Sequence, residues 1–392
     1  METKKKDFKR IFVILMMLQI VLYFLNNDMY LQVSGMFIFL FFAILVGLGW
    51  ILLNIWQRPV NVYQTVSLLL FVCLLISAIA NPSVIEKGYI LSYVFLICMV
   101  FIFSSLDLDQ EDFDKISNAY ILLGLIISLL IIIVHKRFYA DESNRITIQI
   151  GSSPLIDPNY LGACLVGPCF LSMQKAMEGR KKYRLAYWGI SIVVLIGIFM
   201  TGSRGALLAF GVGIVIIFCK KFFKQFTFKK FCILAIQPGA IFVLAVTFIP
   251  QAYLARMFDI SSWMDSSNIR RLSLWENAID HILKKPLFGY GLGSPVNTID
   301  HAAHNTYLEF FVQFGAIGGI LFVTLLGLLV LRKGNVFMKA IILSTMVWSI
   351  FIAAEATMFL WLNISLCIAY DNMKKGCYDE KNSQRDCASL QR

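Results

Sequence analysis

Three short stretches of this chain carry the residue types needed for chemistry on a charged or hydroxyl-bearing substrate. Thr201-Gly202-Ser203-Arg204-Gly205 sets two hydroxyls and one guanidinium in a turn between two apolar runs. A planar guanidinium fork suits phosphate or diphosphate. The alternative is an arginine snorkelling from a helix end to a membrane surface. Further on, Ser266, Ser267 and Asn268 are capping candidates, Leu272, Trp275, Ala278, Ile279, Ile282 and Leu283 recur at helical spacing, and Pro286 stops the pattern. The spacing predicts an amphipathic helix with Arg270 and Arg271 in its first turn, where their charge opposes the macrodipole and an anion would offset the cost. Contact of both side chains with lipid headgroups is the competing reading.

The third stretch, His301-Ala302-Ala303-His304-Asn305-Thr306-Tyr307, holds two of the four histidines directly ahead of an apolar run. A neutral imidazole there suits proton abstraction from a sugar hydroxyl, although the residues alone favour interfacial capping over catalysis. Histidines at i and i+3 share a helical face, but no Cys and no clear Asp/Glu set completes a metal site. Gly289, Gly291 and Gly293 follow a helix instead of a strand, so they read as a turn and not as a phosphate loop. Gly315, Gly318 and Gly319 form a small-residue face suited to helix packing. Asp107-Leu108-Asp109 imitates a metal-binding D-x-D but sits in a short inner loop, and Glu355 falls at the turn joining the last two helices.

The elements that must position these residues are membrane helices. With 58% hydrophobic and 15% charged residues among 392, and a mean hydropathy of +0.73, the chain has too much apolar surface for soluble domains to cover. About twelve runs are long enough to cross hydrocarbon. They lie near 10–25, 33–55, 62–80, 88–104, 118–134, 159–174, 185–200, 205–219, 231–250, 306–331, 336–354 and 356–370. The expectation is an all-α, polytopic integral membrane protein with one transmembrane domain over 1–370, a long outer loop over 251–303 and a polar tail over 371–392. With the N-terminus in the cytoplasm, 25 of the 35 Lys and Arg lie inside and 10 outside, which predicts cytoplasmic termini and an uncleaved first span. The net charge of +11 is then largely topological and calls for no nucleic acid. The nine cysteines form no C-x-x-C pair and fall mostly in apolar runs, so neither a disulfide framework nor a zinc site is implied.

Four motifs taken in order are specific where each alone is weak. They are Asp157-Pro158-Asn159-Tyr160-Leu161-Gly162; Thr201 to Ala206; Arg271-Leu272-Ser273-Leu274-Trp275 with Pro286, Gly289 and Gly291; and His304-Asn305-Thr306-Tyr307-Leu308 with Gly315 and Gly318. Over roughly residues 145 to 330 this series resembles the O-antigen ligase and polymerase superfamily of bacterial membrane glycosyltransferases. The resemblance implies a GT-C-like helical membrane fold at the bacterial cytoplasmic (inner) membrane. It also implies metal-independent, inverting transfer, without a cofactor, from a polyprenyl-diphosphate-linked oligosaccharide on the extracytoplasmic side. Arg204 and Arg271 would engage the diphosphate, with Arg270 a neighbouring candidate, and His304 would activate the acceptor hydroxyl. Asn159 and Asn305 are further candidate substrate-binding residues. Polymerisation of O-antigen, capsule or exopolysaccharide repeat units is the first reading. Ligation of the glycan to lipid A core or another acceptor is the second. Expected partners are the growing glycan or other acceptor, membrane lipid and other polysaccharide export proteins. A transporter or flippase of lipid-linked oligosaccharide, the rival class, would instead call for charged residues in several spans and repeat symmetry between halves.

Overall fold

The computed structural model describes residues 2–23, 38–54, 60–82, 87–134, 136–138, 145–149, 155–222, 266–292, 302–332 and 334–390. The expected span at 231–250, the part of the outer loop before Ser266, Gly293 and His301 lie outside them. The helices are α1 (Glu2–Leu22), α2 (Ile38–Asn54), α3 (Val62–Ala80), α4 (Lys87–Ser105), α5 (Gln110–Ile133), α6 (Pro158–Glu178), α7 (Arg184–Met200), α8 (Arg204–Phe222), α9 (Ser266–Lys284), α10 (Thr306–Leu331), α11 (Val336–Trp348) and α12 (Met358–Leu390). The fold is helical, as expected, and the described residues add one short strand pair: β1 (Lys136–Phe138) and β2 (Arg145–Thr147) pair antiparallel between α5 and α6, with Arg137 opposite Ile146. Strands of three residues are too short to show a period in sequence.

Among the described residues, four helical stretches are long and apolar enough to cross a membrane: Val62–Ala80, Gln110–Ile133, Lys181–Met200 and Thr306–Leu331. Shorter apolar helices lie at Ile38–Leu52, Ile90–Ser105 and Val336–Trp348. Leu68, Leu69, Leu129, Ile133 and Ile320 point outward and are exposed on the bundle, as expected where the solvent is acyl chain. Inside, Phe310 and Phe322 stack with ring centroids 4.0 Å apart beside buried Trp361. Gly124 lies against Pro168 and Gly197 against Ser128, so small residues let helices approach closely.

Hydrogen bonds and ion pairs sort the bundle's two ends. At one, Lys9 meets Asp109 at 2.8 Å and Asp112 at 2.7 Å, Lys175 pairs with Asp114, and Asn335 reaches Glu178 and Tyr370. Asp109 also caps α5 by accepting from the Asp112 N–H at 2.9 Å, which gives the D-x-D imitation a structural role. The opposite end gathers the four motifs.

Its scaffold includes a break in α10. Gly315 has φ 66° and ψ −169°, and the carbonyls this break frees at Val312 and Gln313 accept from the N–H groups of Tyr290 (2.8 Å) and Gly291 (3.1 Å). The Ala316 N–H donates to Pro286 O at 2.6 Å. The segment after α9 therefore threads into the break and satisfies its backbone, as hydrocarbon requires. Gly289 (φ 68°) and Gly291 (φ 97°) supply its turn, as expected. Gly315, expected on a packing face, is instead the break itself, while Gly318 does lie against Cys73 of α3.

Candidate active site

At α6, Asp157 caps the first turn by accepting from the Asn159 N–H at 2.7 Å, and Pro158 supplies a helix-ready φ. Asn159 then holds out an oxygen that accepts twice, from Arg145 Nη1 at 3.2 Å and from Ser203 Oγ at 3.1 Å. Arg145 is only 6% exposed. One helical turn further, Gly162 leaves room for the Thr201–Ser203 turn; a Cβ there would lie 2.8 Å from Ala206 Cβ. Gly202 adopts φ 62°, and Arg204 opens α8, half-buried.

A single turn, 349–357, connects this cluster to the histidine motif. Gly205 lies against Phe351, and the Tyr160 hydroxyl donates to Ala353 O at 2.6 Å. Thr306 bonds the same turn three times. Its N–H donates to Ser349 O (2.8 Å), its hydroxyl donates to Ile352 O (2.8 Å), and that hydroxyl accepts from the Ala354 N–H (3.0 Å). Arg204 and His304 thus belong to elements seated on one turn.

The capping role left open for His304 falls to its neighbour. Asn305 is the N-cap of α10, its Oδ1 accepting from the N–H groups of Tyr307 (3.0 Å) and Leu308 (3.2 Å). That engages the side-chain oxygen of one candidate substrate-binding residue. His304 precedes the cap, half-buried, with φ 50° in the left-handed region that non-glycine residues seldom enter. It therefore lies outside the helix, and the helical face on which a metal pair with His301 would depend does not include it. Among the described residues no three His, Cys, Asp or Glu side chains are grouped to hold a metal ion.

α9 confirms the amphipathic helix and corrects its start. It begins at Ser266, so Arg270 and Arg271 are its fifth and sixth residues and stand beyond the first turn. The macrodipole argument weakens accordingly, since that field falls off within one turn. Arg270 is exposed and Arg271 half-buried. One turn after Arg271, Trp275 Nε1 donates to Ala303 O at 2.9 Å, bringing the arginine helix against the residue before His304. Ala278, Ala303 and Val312 form a small apolar cluster around that contact.

Behind His304 lies a buried polar group that motif reasoning passed over. Glu309 is 1% exposed and accepts from the Ala303 N–H at 2.6 Å. Gln313, also 1% exposed, reaches Glu355 Oε1 at 3.5 Å and accepts from the Tyr93 hydroxyl at 3.2 Å. In the 349–357 turn, burial pushes the Glu355 carboxyl up to about 7. An acid in the first turn of an apolar span is a signal available in sequence. Arg145, by contrast, precedes the first motif and carries no comparable signal in sequence.

Residues 189–323, from α7 into α10, match the O-antigen ligase family. A Rickettsia conorii protein named "Putative polysaccharide ligase" is 30% identical over 170 residues, covering 38% of this chain and 39% of that protein. The matched stretch thus spans about two fifths of that relative. Arg204, Arg271 and His304 all fall inside the family match, whereas Arg145 and Asn159 precede it. The chain therefore carries, over residues 189–323, the pattern of the O-antigen ligase superfamily that its motifs resemble.

Proposed function

We propose that this protein transfers a glycan from a polyprenyl diphosphate to a sugar hydroxyl at the outer face of the cytoplasmic membrane, polymerising surface-polysaccharide repeat units. The observation that carries this is the convergence of three elements at one end of the bundle: the turn that opens into Arg204, the α9 face bearing Arg271 and Trp275, and the His304 segment. In the proposed step His304 takes the proton of the acceptor hydroxyl, whose oxygen attacks the anomeric carbon. The bond from that carbon to the phosphate oxygen breaks, and polyprenyl diphosphate leaves with the electron pair. Arg204 and Arg271, with Arg270 nearby, stabilise charge developing on the leaving group. Attack from the face opposite the diphosphate inverts the anomeric centre. The step uses no nucleotide and no metal, because the sugar arrives already activated.

The wider setting belongs to the same proposal: about twelve spans, a GT-C-like arrangement, both termini in the cytoplasm and the motif end outside. The basic residues at Lys9, Lys175 and Arg332 gather at the end opposite the motifs, which supports that orientation. A second reading, ligation of finished glycan to lipid A core or another acceptor, is favoured by the family's description and the relative's name.

The test is purified protein in detergent with a lipid-diphosphate oligosaccharide, with and without chelator and with no nucleotide. Lengthening of the lipid-linked glycan supports polymerisation. Movement of the glycan only to an added core acceptor supports ligation. A glycan left covalently unchanged under every condition overturns both and points to transport.

A further inference from the structure

We propose that Trp275 and Glu309 are positioning residues that clamp Ala303 from two sides and so fix where the His304 imidazole stands relative to Arg271. The inference rests on the reading of His304 as the acceptor-activating base. Both backbone polar groups of Ala303 are taken by side chains from different helices. Its carbonyl accepts from Trp275 Nε1 of α9 at 2.9 Å, and its N–H donates to Glu309 Oε1 of α10 at 2.6 Å. Ala303 is itself 1% exposed, so neither group has water as a substitute partner. The next residue, His304, holds φ 50°, a conformation that persists in a non-glycine residue only when its surroundings over-determine it. The two hydrogen bonds immediately before it are such a constraint.

Each arm of the clamp is anchored. Glu309 packs with buried Gln313, which is held by Glu355 and by the Tyr93 hydroxyl of α4. α9 is pinned beyond its C-terminus, where the Tyr290 and Gly291 N–H groups enter the α10 break and Lys285 Nζ donates to Asn81 Oδ1 at 2.9 Å. Trp275 is therefore a polar bridge between a helix fixed to α10 and the segment that carries His304. Arg271 lies four residues earlier on that helix, so the same bridge sets its offset from His304. A reacting geometry off by about 1 Å costs on the order of a hundredfold in rate, which is the effect expected from loosening either arm.

The experiment compares turnover of the lipid-diphosphate oligosaccharide by wild type, Trp275→Phe, Glu309→Ala and Glu309→Gln, with accumulation in the membrane and thermal stability measured alongside. Trp275→Phe removes the N–H and keeps most of the ring. It should lower kcat about a hundredfold while donor KM changes less than about threefold. Glu309→Ala should do the same, and Glu309→Gln, whose amide oxygen still accepts from Ala303, should recover to within about tenfold of wild type. Trp275→Phe remains informative if Glu309→Ala fails to accumulate. A wild-type kcat in Trp275→Phe, a loss carried wholly by KM or by accumulation, or Glu309→Gln as impaired as Glu309→Ala would each overturn the clamp. Wild-type protein that transfers no glycan would instead overturn the functional reading, so the two failures are distinguishable.

Discussion

Arg145 Nη1 lies 3.2 Å from Asn159 Oδ1, an oxygen that also receives the Ser203 hydroxyl, so a buried arginine of the β hairpin is tied to the turn that opens into Arg204. Arg145 is 6% exposed, and a hydrogen bond to a charged group of this kind is worth about 1.5–3 kcal/mol. Asn159→Ala removes one acceptor from both donors. It should lower thermal stability by about that amount and reduce glycan transfer more than tenfold through displacement of the Thr201–Arg204 turn. Asn159→Asp keeps the acceptor and adds a charge partner for Arg145, so it should be the milder variant. Equal activity in Asn159→Ala and wild type would remove any functional weight from this contact.

Arg271 is half-buried on the α9 face that meets the His304 segment, whereas Arg270 is exposed. Arg271→Lys keeps the charge and loses the bidentate fork; Arg271→Ala loses both. The expected order of kcat/KM for the lipid-linked donor is wild type, then Arg271→Lys, then Arg271→Ala about a hundredfold down, with Arg270→Ala the mildest. Membrane accumulation should be unchanged throughout, because α9 is held by Trp275 and the segment after it. An Arg270→Ala loss exceeding that of Arg271→Ala would transfer the diphosphate role to the exposed residue.

The legible parts of this molecule were those with long signals. Runs of apolar residues gave α3 and α10 nearly to the residue, and Pro286 marked the end of α9. The start of α9 was misplaced because Ser266, Ser267 and Asn268 are all good caps and the helix uses an earlier boundary than the arginines suggested. Gly315 was misread because a glycine that packs and a glycine that breaks a helix leave the same mark in sequence. Only the 286–291 segment, distant in the chain, decides between them. The sequence names Arg204, Arg271 and His304 as candidates through their motifs, whereas the contacts of Arg145 and Trp275 join residues 14 and 28 apart in the chain and leave no local pattern.

Gly315 gives a stability prediction. Its φ of 66° disfavours any side chain, and a Cβ would stand 2.2 Å from Leu287 O, a backbone atom of the threaded segment. Gly315→Ala therefore adds a backbone penalty of about 1–3 kcal/mol to a clash that must displace 286–291. Thermal denaturation in detergent should show a large loss, with α9 released first and visible as faster backbone amide exchange over 285–291. Wild-type stability in Gly315→Ala would mean that the break is not held by this segment.

Glu355 gives a pH dependence. Burial raises its carboxyl from 4.5 to about 7, so the folded protein binds its proton more tightly than the unfolded chain does. The stabilising contribution is fully present below about 4.5 and is lost as pH rises to about 7. The difference corresponds to a few kcal/mol by the usual conversion of pKa shift to free energy. Stability should thus fall between about pH 4.5 and 7 by more in wild type than in Glu355→Gln, which carries no proton to lose. Parallel stability curves for the two proteins across that window would show that Glu355 is not the titrating group.

His304 is the proposed base. Its position ahead of the Asn305 cap means that α10 does not depend on the imidazole for its first turn, and its φ of 50° is one that asparagine tolerates better than most residues. His304→Asn therefore keeps the backbone conformation and a hydrogen-bonding group while deleting the base. The protein should accumulate normally and bind lipid-linked donor with little change. Transfer should fall by on the order of 10²- to 10⁴-fold, the range that general-base assistance supplies for a hydroxyl nucleophile. His304→Gln and His304→Ala should be equally inactive, and none should respond to chelator. His301→Ala is the neighbouring control and should be milder, whereas a shared metal site would make both histidines necessary and wild-type activity sensitive to chelator. Near wild-type transfer by His304→Asn would sink the catalytic assignment, because the residue would then be serving the backbone alone.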